Sequence, residues 1–167
     1  MQRRTLLALA PVAGLAACGF HLRGAPEFAF ASLYLAAPAG SALARELQRT
    51  LESAGARLQV LREPAPQNAA QVVLDLLQEK QERAVVGLTS AGQVRELQLR
   101  LRVQIRLRGA DGAEWMAPTE IVQTRDISYS ETIALAKEAE EALLYRNMQT
   151  DIVQQIVRRL AAVRPPR

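Results

Sequence analysis

Within the stretch 94–109, residues 96–108 alternate strictly between polar and apolar side chains. Six aliphatic residues occupy one side of this period of two: Leu97, Leu99, Leu101, Val103, Ile105 and Leu107. A period of two is typical of a β-strand that buries one face. Burial of six such side chains contributes a gross transfer free energy of about 10–15 kcal/mol. The pattern therefore predicts a strand in the middle of a sheet.

The polar side of the same strand carries four arginines, Arg100, Arg102, Arg106 and Arg108. A face that only has to stay soluble usually mixes both signs of charge. Two interpretations are open. The arginines form either a solvated face of the sheet or a contact face for an anionic ligand or partner.

The first half of the chain predicts one helix between two short strands. Residues 32–37 are predicted to form a strand that ends at 38–40, and residues 57–61 a second strand. Between them, Ser41 is predicted to cap a helix that places Leu43, Leu47 and Leu51 on one stripe and ends at Gly55.

The second half predicts two further strands around residues 94–109. Residues 71–88 are predicted to form a long strand with a solvated middle, joined to 94–109 by a turn at 89–93. After a second turn, residues 114–128 are predicted to form another strand, with Ile121 facing inward. Pro118 indicates that this strand is an edge or contains a bulge.

The last segment changes from a period of two to a helical period. Its apolar residues recur every three or four positions, with acids near the start and arginines near the end, as the helix dipole favours. We expect a helix that begins between Thr132 and Glu138 and ends before Pro165. The element order predicts a single domain at 31–163 with a short basic tail at 164–167. The fold class is α+β, a two-layer sandwich with a mostly antiparallel four- to five-stranded sheet, one apolar sheet face, and both helices packed on that face.

Composition excludes several classes of function. The 167 residues have 49% apolar and 23% charged side chains and a formal charge of +4, as expected for one globular domain. The basic excess is not concentrated in an aromatic-bearing patch, so no nucleic-acid partner is predicted. Cys18 is the only cysteine and His21 the only histidine, and no nucleophile elbow or glycine-rich phosphate loop occurs. We predict no enzyme, no metal site and no cofactor.

The first 17 residues indicate export. Arg3 and Arg4 precede an apolar run of about eleven residues, too short for a transmembrane helix. Residues 15–18, Leu-Ala-Ala-Cys, resemble the lipobox of bacterial lipoproteins. The expected mature chain starts at an acylated Cys18, is held on a membrane by acyl chains such as palmitate, and reaches the domain through a tether at 18–30.

Two alternatives stay open at this leader. Cys18 could lie by chance near the cleavage site of an ordinary signal peptide, and the paired arginines loosely resemble a twin-arginine signal, so the export route is not determined. Gly19 stands where lipoproteins retained in the inner membrane of the best-studied systems carry aspartate. Its presence therefore implies the outer membrane.

Two segments resemble the LptE family of lipopolysaccharide-assembly lipoproteins. They are residues 18–24 (CGFHLRG) and residues 134–148 (ALAKEAEEALLYRNM), and the element order agrees along nearly the whole mature chain. The resemblance implies an outer-membrane lipoprotein that sits as a plug inside the β-barrel LptD, assists its folding, and helps to transfer lipopolysaccharide to the cell surface.

The resemblance also implies lipopolysaccharide-binding residues. Lys137 matches a family lysine implicated in lipopolysaccharide binding, at a site expected to be exposed. Arg95 lies close to the loop at 90–93, where some members carry an arginine. The alternative for Lys137 is a solvated helix lysine paired with Glu140 or Glu141. Two rival functions are a free-standing lipid or peptide carrier on a lipid tether, and a cell-wall hydrolase.

Overall fold

Five strands form one sheet, and two helices cover one of its faces. The structure, a computed structural model, describes residues 26–54, 58–129 and 134–166. The predicted leader, Cys18, His21 and Gly55 lie outside these residues. The strands are β1 (Ser32–Ala36), β2 (Gln59–Leu61), β3 (Val72–Leu88), β4 (Val94–Gly109) and β5 (Glu114–Ser128), and the helices are α1 (Ala42–Ala54) and α2 (Ala134–Ala162). The α+β class is confirmed, with five strands in the sheet.

The sheet has the strand order β2-β1-β3-β4-β5. The β3–β4 and β4–β5 pairs are antiparallel, as expected for strands joined by short turns. In contrast, β1 is parallel to both β2 and β3, because α1 carries the chain back between β1 and β2. The sheet is therefore mixed. β4 is interior as predicted, but β3 takes the central place in the order.

The sheet is wider at one end than at the other. β1 covers the edge of β3 only where Leu33 to Ala36 lie opposite Val72 to Asp75. Beyond Asp75 the sheet is three strands wide. We call the end with Ser32, Val72 and Glu114 the wide end, and the end with Leu88, Val94 and Ser128 the narrow end.

The core lies between the sheet and the helices. All six aliphatic residues of β4 are buried, together with Leu43, Leu47 and Leu51 of α1 and Met148, Ile152, Ile156 and Leu160 of α2. These residues form one cluster, which confirms that both helices pack on one face. At the wide end Phe30 joins this cluster, and its ring centroid lies 6.1 Å from that of Trp115.

The opposite face of the sheet is not uniformly polar, in contrast to the single apolar face expected. Tyr34 and Val73 are buried on it with Ala70, which belongs to the connection before β3. Residues 33–35 are buried on both sides, as is common for interior strands with parallel neighbours. A short apolar run therefore marks a strand covered on both faces.

The element boundaries mostly follow the sequence pattern. The Ser41 hydroxyl oxygen accepts a hydrogen bond of 3.0 Å from the backbone N–H of Ala44, which confirms the predicted N-cap. β1 ends one residue earlier than expected, at Ala36, and β3 begins one residue later, at Val72. Pro118 lies on an edge strand where the β4–β5 register is irregular, so both expectations for it are confirmed.

Candidate functional site

The arginine row of β4 lies between acidic side chains of its two neighbouring strands. Arg102 donates to Glu82 of β3 at 3.2 Å and to Glu120 of β5 at 3.2 Å. Arg100 lies 3.9 Å from Glu82 and hydrogen bonds Gln98. Each of these arginines therefore meets an acidic group across the ladder, and the face carries both signs of charge.

Arg106 and Arg108 converge on a single carboxylate. Asp75 of β3 is 9% exposed and lies 2.8 Å from Arg106 and 3.0 Å from Arg108. Arg108 also donates to the side-chain oxygen of Gln67, at 2.8 Å, in the connection that precedes β3. This cluster links the connection to the outer face of the sheet.

These contacts shift the pKa values of Glu82 and Arg102, which lie at the centre of the face. Hydrogen bonds from Lys80 and Arg102 lower the pKa of the Glu82 carboxyl below its usual value. Hydrogen bonds to Glu82 and Glu120 raise the pKa of Arg102 in turn. The contacts fit a solvated, internally paired face, and an anion-contact role for the four arginines stays a prediction.

A shallow depression of about 360 Å³ lies on the same face. Its lining is mostly charged or polar and comprises Lys80, Glu82, Arg83, Ala84, Gln98 and Arg100. Pockets that hold apolar ligands are lined predominantly by hydrophobic side chains. This depression therefore does not suit an acyl chain, which a lipid carrier would have to enclose.

The two predicted lipopolysaccharide-binding residues both lie at the narrow end. Lys137 donates to the Ser128 hydroxyl oxygen at 3.1 Å, and Ser128 lies opposite Glu96, the neighbour of Arg95. The Arg95 side chain is exposed, and its carbonyl oxygen accepts a hydrogen bond of 2.8 Å from the backbone N–H of Tyr129. The fold thus brings together two residues that are 42 positions apart.

The environment of Lys137 differs from the expected exposed site. Only 15% of its side chain is exposed, and its ammonium lies 2.9 Å from the Glu140 carboxylate. The pairing with Glu140 matches the alternative considered for this lysine. Glu141 instead lies 3.6 Å from Arg83. Lys137 is therefore less exposed than expected, and its ammonium is hydrogen-bonded to Ser128 and Glu140.

Apolar side chains near these cations were not predicted as part of a site. Val85, Val86 and Leu88 are exposed near the end of β3, and Leu135 is 82% exposed at the start of α2. The narrow end therefore combines cationic groups with apolar surface. The signal in the sequence is the break in alternation at Val85 and Val86, where two apolar residues follow one another.

Residues 26–54, 58–129 and 134–166 contain neither a cluster of metal ligands nor a helix that could span a membrane. Within these ranges, no three or more His, Cys, Asp or Glu side chains are grouped so as to hold a metal ion. None of the helices in these ranges has the length and apolar character needed to cross a bilayer.

Comparison with known proteins identifies similar chains. A family model described as LptE, lipopolysaccharide-assembly, matches residues 28–160. The solution structure of an uncharacterized lipoprotein B from Nitrosomonas europaea is 34% identical, with a TM-score of 0.72 over 86% of this chain and 91% of that one. The rare lipoprotein B from Shewanella oneidensis is 26% identical, with a TM-score of 0.66 over 78% and 94%.

A third structure agrees in fold alone. The minor lipoprotein from Acinetobacter baumannii is 24% identical, with a TM-score of 0.65 over 84% of this chain and 100% of that one. A search among curated proteins gave no match.

Proposed function

The chain belongs to the LptE lipopolysaccharide-assembly family, and on this premise we propose that it is an outer-membrane lipoprotein that acts as a plug and assembly partner of the β-barrel LptD. In this role it assists the transport of lipopolysaccharide to the cell surface and its insertion there, with direct lipopolysaccharide contact. The observation that carries the proposal is the family match over residues 28–160, which spans β1 to β5 and nearly all of α2.

The surface of the domain supports a plug. The apolar face of the sheet is closed by α1 and α2 within one core. The opposite face presents paired charges such as Arg102 with Glu82 and Glu120. The interior of a large outer-membrane barrel is polar, so a rigid domain with a charged outer face suits such a lumen.

The narrow end supports the lipopolysaccharide contact. Lipid A phosphates are anions that lysine and arginine can pair with, and Lys137 and Arg95 supply two cations there. The exposed Val85, Val86 and Leu88 offer apolar surface at the same end of the sheet. Cations beside apolar side chains match the two chemistries of an amphiphile that carries phosphates and acyl chains.

The position of the predicted anchor is compatible with this assignment. The described chain begins at Pro26, eight residues after Cys18. Such a segment spans at most about 27 Å. Acylation at Cys18 therefore holds the wide end close to the membrane that contains the barrel.

Purification of the tagged protein from detergent-solubilised outer membranes tests the proposal. A barrel recovered in stoichiometric amount supports the plug. Recovery without a barrel but with a bound acyl ligand supports the free-standing carrier instead. The role proposed is non-enzymatic, and turnover of cell-wall substrate that is lost on substitution of one acidic residue would contradict it.

A further inference from the structure

The ammonium group of Lys137 already has two partners in the folded protein. Its Nζ atom lies 2.9 Å from the Glu140 carboxylate and donates to the Ser128 hydroxyl oxygen at 3.1 Å. An ammonium group has three N–H donors, so two of them are engaged. Only 15% of the lysine side chain is exposed. An anionic ligand that binds Lys137 therefore has to displace one of these partners or share the ammonium with it.

Glu140 is the partner that can leave. Its side chain is 49% exposed, and within residues 26–54, 58–129 and 134–166 its carboxylate hydrogen bonds only Lys137. Ser128, in contrast, is held in place by β5, where it lies opposite Glu96 of β4. The Glu140 carboxylate can therefore turn into solvent by rotation of its own side chain, with no change in the helix or the sheet.

The position of the pair on α2 makes it exchangeable. Residues three apart on a helix are neighbours on its surface, so the contact between Lys137 and Glu140 is purely local. The cation precedes the acid, which is the less favourable order with respect to the helix dipole. A pair of this kind changes an equilibrium constant only about twofold. A phosphate group carries more charge and three acceptor oxygens, so it can compete for the lysine.

We propose that Glu140 is an internal competitor of the lipopolysaccharide phosphate at Lys137. The inference rests on the lipopolysaccharide contact proposed above for this lysine. Without ligand, the Glu140 carboxylate occupies the ammonium group. When lipopolysaccharide binds, a lipid A phosphate displaces the carboxylate and takes its place beside Ser128. Two anions beside one ammonium repel each other, so the paired lysine and the phosphate-bound lysine are two alternative states of one site.

The competition assists the release of the ligand. A partly buried ammonium that loses its anion is costly to leave unpaired. Glu140 lies three residues away on the same helix, so its effective concentration at the ammonium is high, and it pairs with Lys137 again as the phosphate departs. The neighbouring acids of α2 are not placed to do this: Glu141 lies 3.6 Å from Arg83, and no ion pair among the described residues includes Glu138. A protein that passes lipopolysaccharide on needs such a reversible contact.

Binding of the full-length protein to immobilised lipopolysaccharide tests the competition. Glu140→Gln removes the pair, which contributes about twofold, and it removes the repulsion between carboxylate and bound phosphate, which contributes a similar factor. We therefore expect Glu140→Gln to bind lipopolysaccharide about fourfold more tightly, mainly through slower dissociation.

A second acid of α2 provides a matched control. Glu138→Gln removes the same charge from the same part of the helix, and Glu138 is exposed. Because screening weakens the effect of an exposed charge that makes no direct contact with the ligand, Glu138→Gln should change the affinity by less than about twofold. In the Lys137→Gln background, Glu140→Gln should have no further effect, because no ammonium is left to compete for. The unfolding midpoint of each variant shows that it is folded.

Each other outcome overturns the competition. Equal gains in Glu140→Gln and Glu138→Gln would mean that only net charge matters. Weaker binding of Glu140→Gln would mean that the acid positions the lysine for its ligand. A gain that persists in the Lys137→Gln background would mean that the two anions do not compete for this lysine.

Failure of the proposed lipopolysaccharide contact gives a different result. If folded Lys137→Gln binds lipopolysaccharide as tightly as the unmodified protein, the contact itself is wrong, and the competition falls with it. If Lys137→Gln binds more weakly and Glu140→Gln binds with unchanged affinity, only the competition is wrong.

Discussion

The Asp75 carboxylate accepts two hydrogen bonds from the guanidinium group of Arg106, 2.8 Å from Nη2 and 3.0 Å from Nε. Arg108 completes the cluster at 3.0 Å and reaches Gln67. An acid that is 9% exposed is thus held on the outer face of the sheet by two cations. The cluster therefore ties Gln67, in the connection before β3, to the outer face of the sheet.

Removal of this carboxylate should destabilise the fold. Asp75→Ala leaves two arginines without their shared acceptor, and we expect a loss of about 1–3 kcal/mol in the free energy of unfolding, because the cluster is only partly screened by solvent. Urea denaturation measures the change. Glu114→Ala on β5, an exposed site, is the control and should change stability by less than about 0.5 kcal/mol.

The N-cap of α1 predicts an unusual order of stability among substitutions at Ser41. Ser41 accepts from the Ala44 N–H and donates to the Glu79 carboxylate at 2.8 Å. Ser41→Ala should cost about 1 kcal/mol. Ser41→Asp, ordinarily a good N-cap, should not rescue stability, because it places a second carboxylate beside Glu79. Thermal unfolding of both variants tests the order, and Ser53→Ala at the exposed end of α1 should be close to neutral.

Tyr145 should make stability depend on alkaline pH. Its hydroxyl donates to the Glu82 carbonyl oxygen at 2.7 Å, and burial raises the pKa of the phenol above its ordinary value of 10.0. Because the pKa is higher in the folded state, Tyr145 makes a constant contribution to the free energy of unfolding below pH 10. That contribution is lost as the pH rises through the folded-state pKa. Tyr145→Phe should cost about 1 kcal/mol at neutral pH and reduce the decline above pH 10. An equal decline in both proteins would contradict this assignment.

Glu82 should make stability depend on acidic pH. Because hydrogen bonds from Lys80 and Arg102 lower its pKa below 4.5, its contribution is present above pH 4.5 and disappears as pH falls through the folded-state pKa. Glu82→Gln should therefore lose less stability on acidification in that window than the unmodified protein. Denaturation curves at a series of acidic pH values measure the difference. The same comparison at high salt should show a smaller difference, because the pair is exposed to screening.

Removal of the positive charge of Lys137 should weaken lipopolysaccharide binding. We expect Lys137→Gln to reduce affinity about tenfold, as for one lost charge-assisted contact to phosphate. Lys80→Gln is a matched control, since these are the two lysines of the chain and Lys80 lies on the outer face of β3 with 58% of its side chain exposed. Binding to immobilised lipopolysaccharide measures both variants.

A folding control is needed for that comparison. Lys137 is only 15% exposed and contacts Ser128 and Glu140, so its substitution also removes local contacts. The unfolding midpoint of Lys137→Gln should fall only slightly. If affinity is unchanged while the protein remains folded, the lipopolysaccharide-binding role assigned to this lysine is wrong.

The burial pattern of the sheet could be predicted from the sequence, but its charge pairing could not. The alternation in β4 predicts that residues such as Leu99 and Ile105 are buried, because the period of two leaves no other arrangement. The contact of Arg102 with Glu82 and Glu120 depends on register. That register passes through irregularities between Leu76 and Gln78 and between Ile105 and Leu107. Pro118 indicates the second of these, but the sequence does not say which residues lie opposite one another.

The position of β1 within the sheet could not be predicted from the sequence pattern either. Residues 32–36 indicate a short strand, but the pattern does not say which strands lie beside it. The only indication in the sequence is the consecutive apolar run Leu33, Tyr34 and Leu35, which is buried. A strand with apolar side chains on both faces is usually covered on both faces. The family resemblance points to Lys137, but only the fold shows that Arg95 lies at the same end of the sheet.

The unequal width of the sheet gives the molecule a long axis. β3 extends over 17 residues, about 55 Å, from the five-stranded wide end to the narrow end that holds Lys137. Since the described chain enters at the wide end, its point of entry and Lys137 lie at opposite ends of this axis.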